Sequence, residues 1–301
     1  MKIKIILLAM LLPLVCNAQT PVWQGKGRII ISCDGNEHDH DDWSATALSL
    51  AILASQKLQD KLAVYVYSNH IWGSNRGRKI TNGLNSYEHM RQSALGGQKW
   101  FGFGKTNFVC GVDDPDAAFN AIAKEINKSS ASNPLFIIEA GPMQVVGEAL
   151  NRADRNKLKY VTLITHSEWN NNHAAKTEGS WDDHSISATK WTYNMIKEQF
   201  SAPEKGGLTC IKILDQNGGR DYLGLRTDRN EFSWMKTSPY KDKAPHYQKG
   251  SWDWLYSRLH TFIDCVGGEL FDPSDAGMVV YLLTGVEKTN PDMVRQMMEK
   301  K

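Results

Sequence analysis

Residues 29–54 read IIISCDGNEHDHDDWSATALSLAILA: an apolar run, a loop crowded with acids and histidines, then a second apolar run. The first run is short and β-branched, the pattern of a buried strand, whereas Trp43 to Gln56 has the length and spacing of an amphipathic helix. Five carboxylates, Asp34, Glu37, Asp39, Asp41 and Asp42, fall within the nine residues between them. A strand that enters a helix through such a loop sets these acids at its carboxyl end, where open α/β sheets bind ligands. Asp41 and Asp42 then lie at a helix N-terminus, whose dipole favours negative charge.

Working outward, the runs at 28–33 (RIIISC), 62–68 (LAVYVYS), 134–139 (PLFIIE), 160–165 (YVTLIT) and 210–214 (CIKIL) are all short and rich in β-branched residues. They read as buried strands. Helical patterns lie between and after them, at 43–56, 114–127, 143–152, 185–200, 252–263, 275–283 and 291–301. Strands alternating with helices at this spacing predict right-handed βαβ units and an α/β fold, an open, mostly parallel sheet flanked by helices. The stretch 205–249 breaks the rhythm, being rich in Gly, Asp, Arg, Lys and Pro after the strand at Cys210. Its irregular length suits a substrate-side cover.

The first residues, MKIKIILLAMLLPLVCNAQ, combine two lysines, an apolar run and small or polar residues. They read as a secretory signal peptide over 1–18, cleaved after Ala18, since the apolar core is shorter than the roughly 18 residues of a membrane span. A lipoprotein processed at Cys16 is less favoured, because Val15 is bulky where a small residue is usual. The mature chain, 19–301, is expected to be one domain, secreted or periplasmic. Loss of Lys2 and Lys4 leaves 33 basic residues against 33 acidic ones. With no basic stripe and near-zero charge, neither nucleic acid nor a membrane surface is an expected partner. Cys33, Cys110, Cys210 and Cys265 remain, and free thiols are favoured over disulfides because Cys33 and Cys210 sit in apolar runs.

An N-cap and a solvated turn would need one aspartate. Five clustered carboxylates repel one another unless a cation neutralises them, and hard oxygen ligands suit a divalent metal, Ca²⁺ foremost. His38 and His40 have no partner at a characteristic zinc spacing, so an exposed role is favoured for both.

With these residues in view the chain resembles the nucleoside hydrolases, in particular the broader superfamily around the inosine-uridine preferring enzymes. In that family a strand ends Asp-Cys-Asp and an Asp-Asp pair opens the next helix; Ser32-Cys33-Asp34 and Asp41-Asp42 are similar. Gly35-Asn36-Glu37 stands in a longer loop where the family has Pro-Gly. Asn69 ends the second strand at the place of a Gly-Asn pair, Glu139-Ala140-Gly141-Pro142-Met143 follows the strand at 134–139, and Asp275-Ala276 opens a late helix. The resemblance implies Asp34 as metal ligand and general base, Asp42 and Asp275 as further metal ligands, the Ala140 carbonyl as a backbone ligand, and Asp41 as a binder of sugar hydroxyls. Metal-assisted hydrolysis of a glycosidic bond follows, Asp34 taking the proton of the attacking water.

The departures bear on the substrate. Ser274 stands where the family has a histidine linked to leaving-group activation, so the leaving-group acid is unassigned. The segment from His166 to His173 differs in register from the family's ribose-binding cluster, yet His166, Glu168, Trp169, Asn170 and His173 are chemically able to grip a sugar, as are Asn36, Glu37 and Asn69. A histidine of this segment is also able to act as general acid, although a lone histidine is more often a hydrogen-bonding loop residue. Ten tryptophans offer faces that stack on sugar rings or simply pack.

The expected substrate is a small molecule, a nucleoside or a saccharide, with a modest lean to the saccharide; a homo-oligomer is left open. The reading weighed against it is a secreted carbohydrate-binding protein on the same fold without catalysis, which the missing histidine favours and the retained aspartates oppose. An esterase is disfavoured because there is no Gly-x-Ser-x-Gly elbow, and the stretch GFGK at 102–105 lacks the spacing of a nucleotide-binding loop.

Overall fold

The computed structural model describes residues 21–37, 39–73, 77–173, 191–218, 224–243 and 247–299. The expected signal peptide, His38 and the first part of the helix expected at 185–200 lie outside them.

Six strands, β1 (Arg28–Cys33), β2 (Leu62–Tyr67), β3 (Asn107–Cys110), β4 (Leu135–Ala140), β5 (Val161–Thr165) and β6 (Thr209–Lys212), form one parallel sheet in the order β3-β2-β1-β4-β5-β6. The chain winds outward from β1 to β3, then returns to β4 and winds the other way. Direction therefore reverses between β1 and β4, and the crevice beyond their carboxyl ends is the topological switch point at which such sheets bind ligands.

Alternation along each strand builds two cores. Ile29, Ile31, Cys33, Tyr65, Tyr67, Phe136 and Ile138 face one, covered by α1 (Asp42–Ser55), α2 (Ser86–Phe101), α7 (Ser251–Val266), α8 (Ala276–Thr284) and α9 (Pro291–Met298). Ile30, Val64, Val66, Leu135, Ile137 and Leu163 face the other, covered by α3 (Pro115–Asn127), α4 (Gln144–Arg152) and α6 (Tyr193–Phe200). The one-turn helix α5 (Glu168–Asn172) follows β5 at the site end of the sheet.

Three sequence expectations need correction. Helix α1 is not amphipathic: Asp42 to Ala54 are all buried, because α2, α7, α8 and α9 surround it. Neither β3 nor α2 stood out in the apolar pattern. β3 is a four-residue edge strand with little burial, and α2 is polar on average, although its capping box, Asn85 with Glu88, is a local start signal. Within its described residues the stretch 205–249 is a strut as well as a flank of the site, since Asn217 lines the pocket described below. It carries β6, a two-residue strand β7 (Thr227–Asp228) paired with β8 (Leu270–Phe271), and a 3-10 helix at Arg229–Lys236. Phe232 and Met235 of that helix are fully buried in the first core. The four cysteines expected to be free are free thiols. Among the described residues no helix is long and apolar enough to cross a membrane.

Candidate metal and substrate site

The β1 ladder continues one residue past the strand. Asp34 N–H donates to the Ala140 carbonyl at 3.1 Å, Ser68 N–H to the Asp34 carbonyl at 3.2 Å and Asn69 N–H to the Cys33 carbonyl at 2.9 Å. Asp34 is thus fixed at the switch point by backbone alone. Its chain then turns at Gly35, whose φ of +71° is left-handed and where a Cβ would come within 2.8 Å of Asp42 Cβ and Met90 Sδ. The turn directs the loop back over α1, whose first residue is Asp42.

Carboxylate oxygens of Asp34, Asp39 and Asp42 all lie within 4.8 Å of one another. Asp34 and Asp42 are each 1% exposed. Among the described residues no hydrogen-bond partner reaches either oxygen of Asp34 or of Asp42. Burial, with repulsion from Asp275 and Asp41, pushes Asp34 up to about 7, although the adjacent Asp42 carboxyl works the other way. Burial and neighbouring acids hold Asp39 and Asp42 well above the ordinary carboxylate range. Two buried carboxylates that meet no donor among the described residues, facing a third, are the complement of a hard cation, and these three side chains could hold one.

Beside the cluster opens a pocket of about 160 Å³ lined by Asp39, Asp41, Ser167, Trp169, Asn170, Asn217 and Asp275. Asp41 and Asp275 bring carboxylates to it. The Ser274 hydroxyl has two acceptors for its one proton, Asn217 Oδ1 at 2.9 Å and Asp41 Oδ2 at 3.3 Å. Ser167, just past β5, holds a left-handed φ of +67°, and its hydroxyl caps α5 by accepting from Trp169 N–H at 3.1 Å. Strain of this kind at a strand end beside a pocket is common where side chains must be aimed.

The remaining expected site residues divide sharply. Asp275 carboxylate meets the Nε2 of the fully buried His166, while His166 Nδ1 faces Asp215 Oδ1 at 3.5 Å and Gln216 N at 3.3 Å. Burial would push this imidazole down, but the Asp275 and Asp215 carboxylates outweigh it and hold it up at about 9. His166 therefore stands behind Asp275 and does not line the pocket. His173 stacks against the far face of the segment: its ring lies 4.2 Å from Trp169 at 13° and 5.7 Å from Trp72 at 25°, with its Nε2 3.4 Å from that of His70. Glu168 is exposed and ion-paired to Lys212.

Asn36 and Asn69 both donate from their amide groups to the surrounding fold. Asn36 Nδ2 donates to the His70 and Gly73 carbonyls. Asn69 Nδ2 donates to Ser32 Oγ at 2.8 Å and Glu139 Oε1 at 2.6 Å, tying the ends of β1, β2 and β4 together. Glu37 is buried with its side chain against Gly73, and its carbonyl accepts from Ser86 Oγ at 2.9 Å. The Ala140 carbonyl sits at the switch point but already accepts from Asp34 N–H. Asn217, Ser167 and Asp215 were not expected at the site, and nothing in their local pattern marks them; Asp39 was visible in the acidic loop without a role.

No protein-family model matches the chain. An inosine-guanosine nucleoside hydrolase is similar in structure over 85% of this chain and 79% of that one, at 10% identity and a TM-score of 0.43, too loose a superposition to transfer residue roles. In sequence, a protein of Formosa agariphila named uncharacterized protein P22 is 32% identical over 274 residues, 89% of this chain and 88% of its own length. Identity at that level across nearly the whole of both chains means that this chain belongs to the same family as the Formosa agariphila protein P22.

Proposed function

We propose that the chain is an exported, metal-dependent hydrolase that cleaves a glycosidic bond of a nucleoside or saccharide, with residues 19–301 as its one catalytic domain. The observation that carries this reading is the convergence of Asp34, Asp39 and Asp42 at the sheet's switch point, with Asp34 and Asp42 buried and without hydrogen-bond partners among the described residues. A divalent cation bound there, Ca²⁺ foremost, would supply the charge that acidifies a water molecule and draws in sugar hydroxyls.

The chain's own residues supply the rest. Asp34, fixed by two backbone hydrogen bonds of its own, is the proton acceptor for the attacking water. Asp41, Asn170 and Asn217 line the pocket with groups that pair with hydroxyls, and Trp169 gives it an aromatic wall backed by His173. The small size of the pocket suits one sugar ring.

Binding without turnover is the second reading, and one observation favours it: the described side chains lining the pocket include no imidazole, His166 standing behind Asp275 and His173 behind Trp169. The deciding test is a screen of the purified mature protein against nucleosides and aryl glycosides, with and without chelator. Turnover that chelation abolishes and Ca²⁺ restores supports the enzyme. Turnover indifferent to thorough chelation sinks the metal mechanism, and sugar binding by calorimetry with no turnover establishes the second reading.

A further inference from the structure

We infer that the cation centre is closed by Asp39 of the acidic loop, and that Asp275 is withdrawn from it by His166 and serves the substrate pocket instead. The inference rests on the metal-dependent reading above and changes its ligand set.

Three observations carry it. First, the carboxylate oxygens that gather within 4.8 Å are those of Asp34, Asp39 and Asp42, all from the nine residues that run from the end of β1 to the first residue of α1. Asp34 and Asp42, each 99% buried and without hydrogen-bond partners among the described residues, are aimed into that point, so the cluster is more than a solvated acidic turn. Second, Asp275 is engaged from outside the acidic loop. Its Oδ1 is bound to Nε2 of His166, which is itself buried and faces Asp215 on its other side. Its Oδ1 is thus committed to a charge-assisted bond, whereas the oxygens of Asp34 and Asp42 meet no donor among the described residues. Third, Asp275 lines the pocket, 8% exposed, beside Asp41 and Asn170.

The geometry gives each acid a distinct task. Asp34 and Asp42 form the floor of the centre, and Asp39, partly exposed and lining the pocket, is the ligand at the border between cation and substrate. Asp275, with His166 fixing its rotamer, presents an acceptor to a substrate hydroxyl. The lengthened loop thereby has a function: it carries the third carboxylate that a shorter connection would have to take from another part of the chain.

The test is cation binding, measured without substrate. Isothermal titration with Ca²⁺, and Mn²⁺ binding followed by electron paramagnetic resonance, are compared for the full mature chain and its Asp34→Asn, Asp39→Asn and Asp275→Asn variants, each checked for folding by circular dichroism and thermal melting. Because affinity at hard-cation sites follows the number of ligand charges, Asp39→Asn and Asp34→Asn should each weaken binding about tenfold or more, while Asp275→Asn should leave it within about threefold. Loss of affinity in Asp275→Asn with retention in Asp39→Asn overturns the assignment while leaving the metal-dependent reading intact. Wild-type protein that binds neither ion overturns both. If Asp39→Asn fails to fold, Asp39→Glu serves in its place: a ligand carboxylate moved by one methylene should still lower affinity, and unchanged affinity there counts against the assignment.

Discussion

The Trp43 indole donates from Nε1 to the Gly35 carbonyl at 2.7 Å, so the second residue of helix α1 clamps the turn that aims Asp34 and Asp42 at each other. Trp43 is fully buried and stacks on His89 at 4.3 Å. Removing it leaves a large cavity and frees the turn. Trp43→Ala should cost about 3–5 kcal/mol in equilibrium unfolding. Trp43→Phe keeps most of the volume and loses the hydrogen bond, which leaves a buried carbonyl unpaired and should cost about 1–3 kcal/mol. Calorimetric cation affinity should fall in the Phe variant although no ligand is touched; unchanged affinity would show that the clamp does not position the cluster.

The acid cluster makes stability depend on pH in an unusual sense. Asp34 is held at about 7 in the folded chain, above its ordinary value of 3.8, so the folded state grips a proton that the unfolded state has released. Stability without cation should therefore fall as pH rises from about 4 to 7, and the full cost remains above that. A bound cation offsets the repulsion, so the rise in Tm on adding Ca²⁺ should be larger at pH 8 than at pH 5. By the same argument Asp42→Asn should raise the Tm of the cation-free protein while weakening cation binding. A Tm shift with Ca²⁺ that is equal at both pH values would contradict this account.

The fold was largely legible because the strands of a parallel sheet are buried on both faces and write themselves as β-branched runs; Ile29 to Cys33 and Leu135 to Ala140 are read this way directly. What a one-dimensional pattern lacks is the partner from elsewhere in the chain. Asn69 has the chemistry to grip a sugar, but Ser32 and Glu139 claim its amide nitrogen from two other strands. His166 has the chemistry of an acid, but Asp275, more than a hundred residues away, places it behind the pocket. Asp39 shows the opposite case: its sequence neighbours supply no role, and only the fold of its own loop brings it to Asp34 and Asp42.

Trp169 is backed by a stack, His173 and then Trp72, that holds its ring upright at the pocket wall. A preorganised aromatic wall acts on binding more than on chemistry. Once a turned-over substrate is found, Trp169→Ala should raise KM about tenfold with a smaller change in kcat, since stacking on an aromatic face is worth about 1–3 kcal/mol for a planar ring. A fall in kcat at constant KM would assign Trp169 to the reacting centre instead.

His166 gives the alkaline side of the stability profile its own signature. Its Nδ1 lies 3.5 Å from Asp215 Oδ1, with which a protonated ring pairs, and 3.3 Å from the Gln216 nitrogen, whose N–H a neutral ring accepts. Its folded-state value of about 9 lies above the ordinary 6.5, so its contribution is complete below about 6.5 and is lost as pH rises through about 9. Asp215 runs the other way: its hydrogen bond to His166 brings it down to about 2, so its part is present above its ordinary 3.8 and is lost as pH falls through about 2. The difference in Tm between wild type and His166→Gln should therefore be widest between pH 4 and 6.5 and should shrink towards pH 10. Gln at this position can still donate to Asp275, so a difference that stays constant across that range would mean that packing, and not the paired charge, is what His166 contributes.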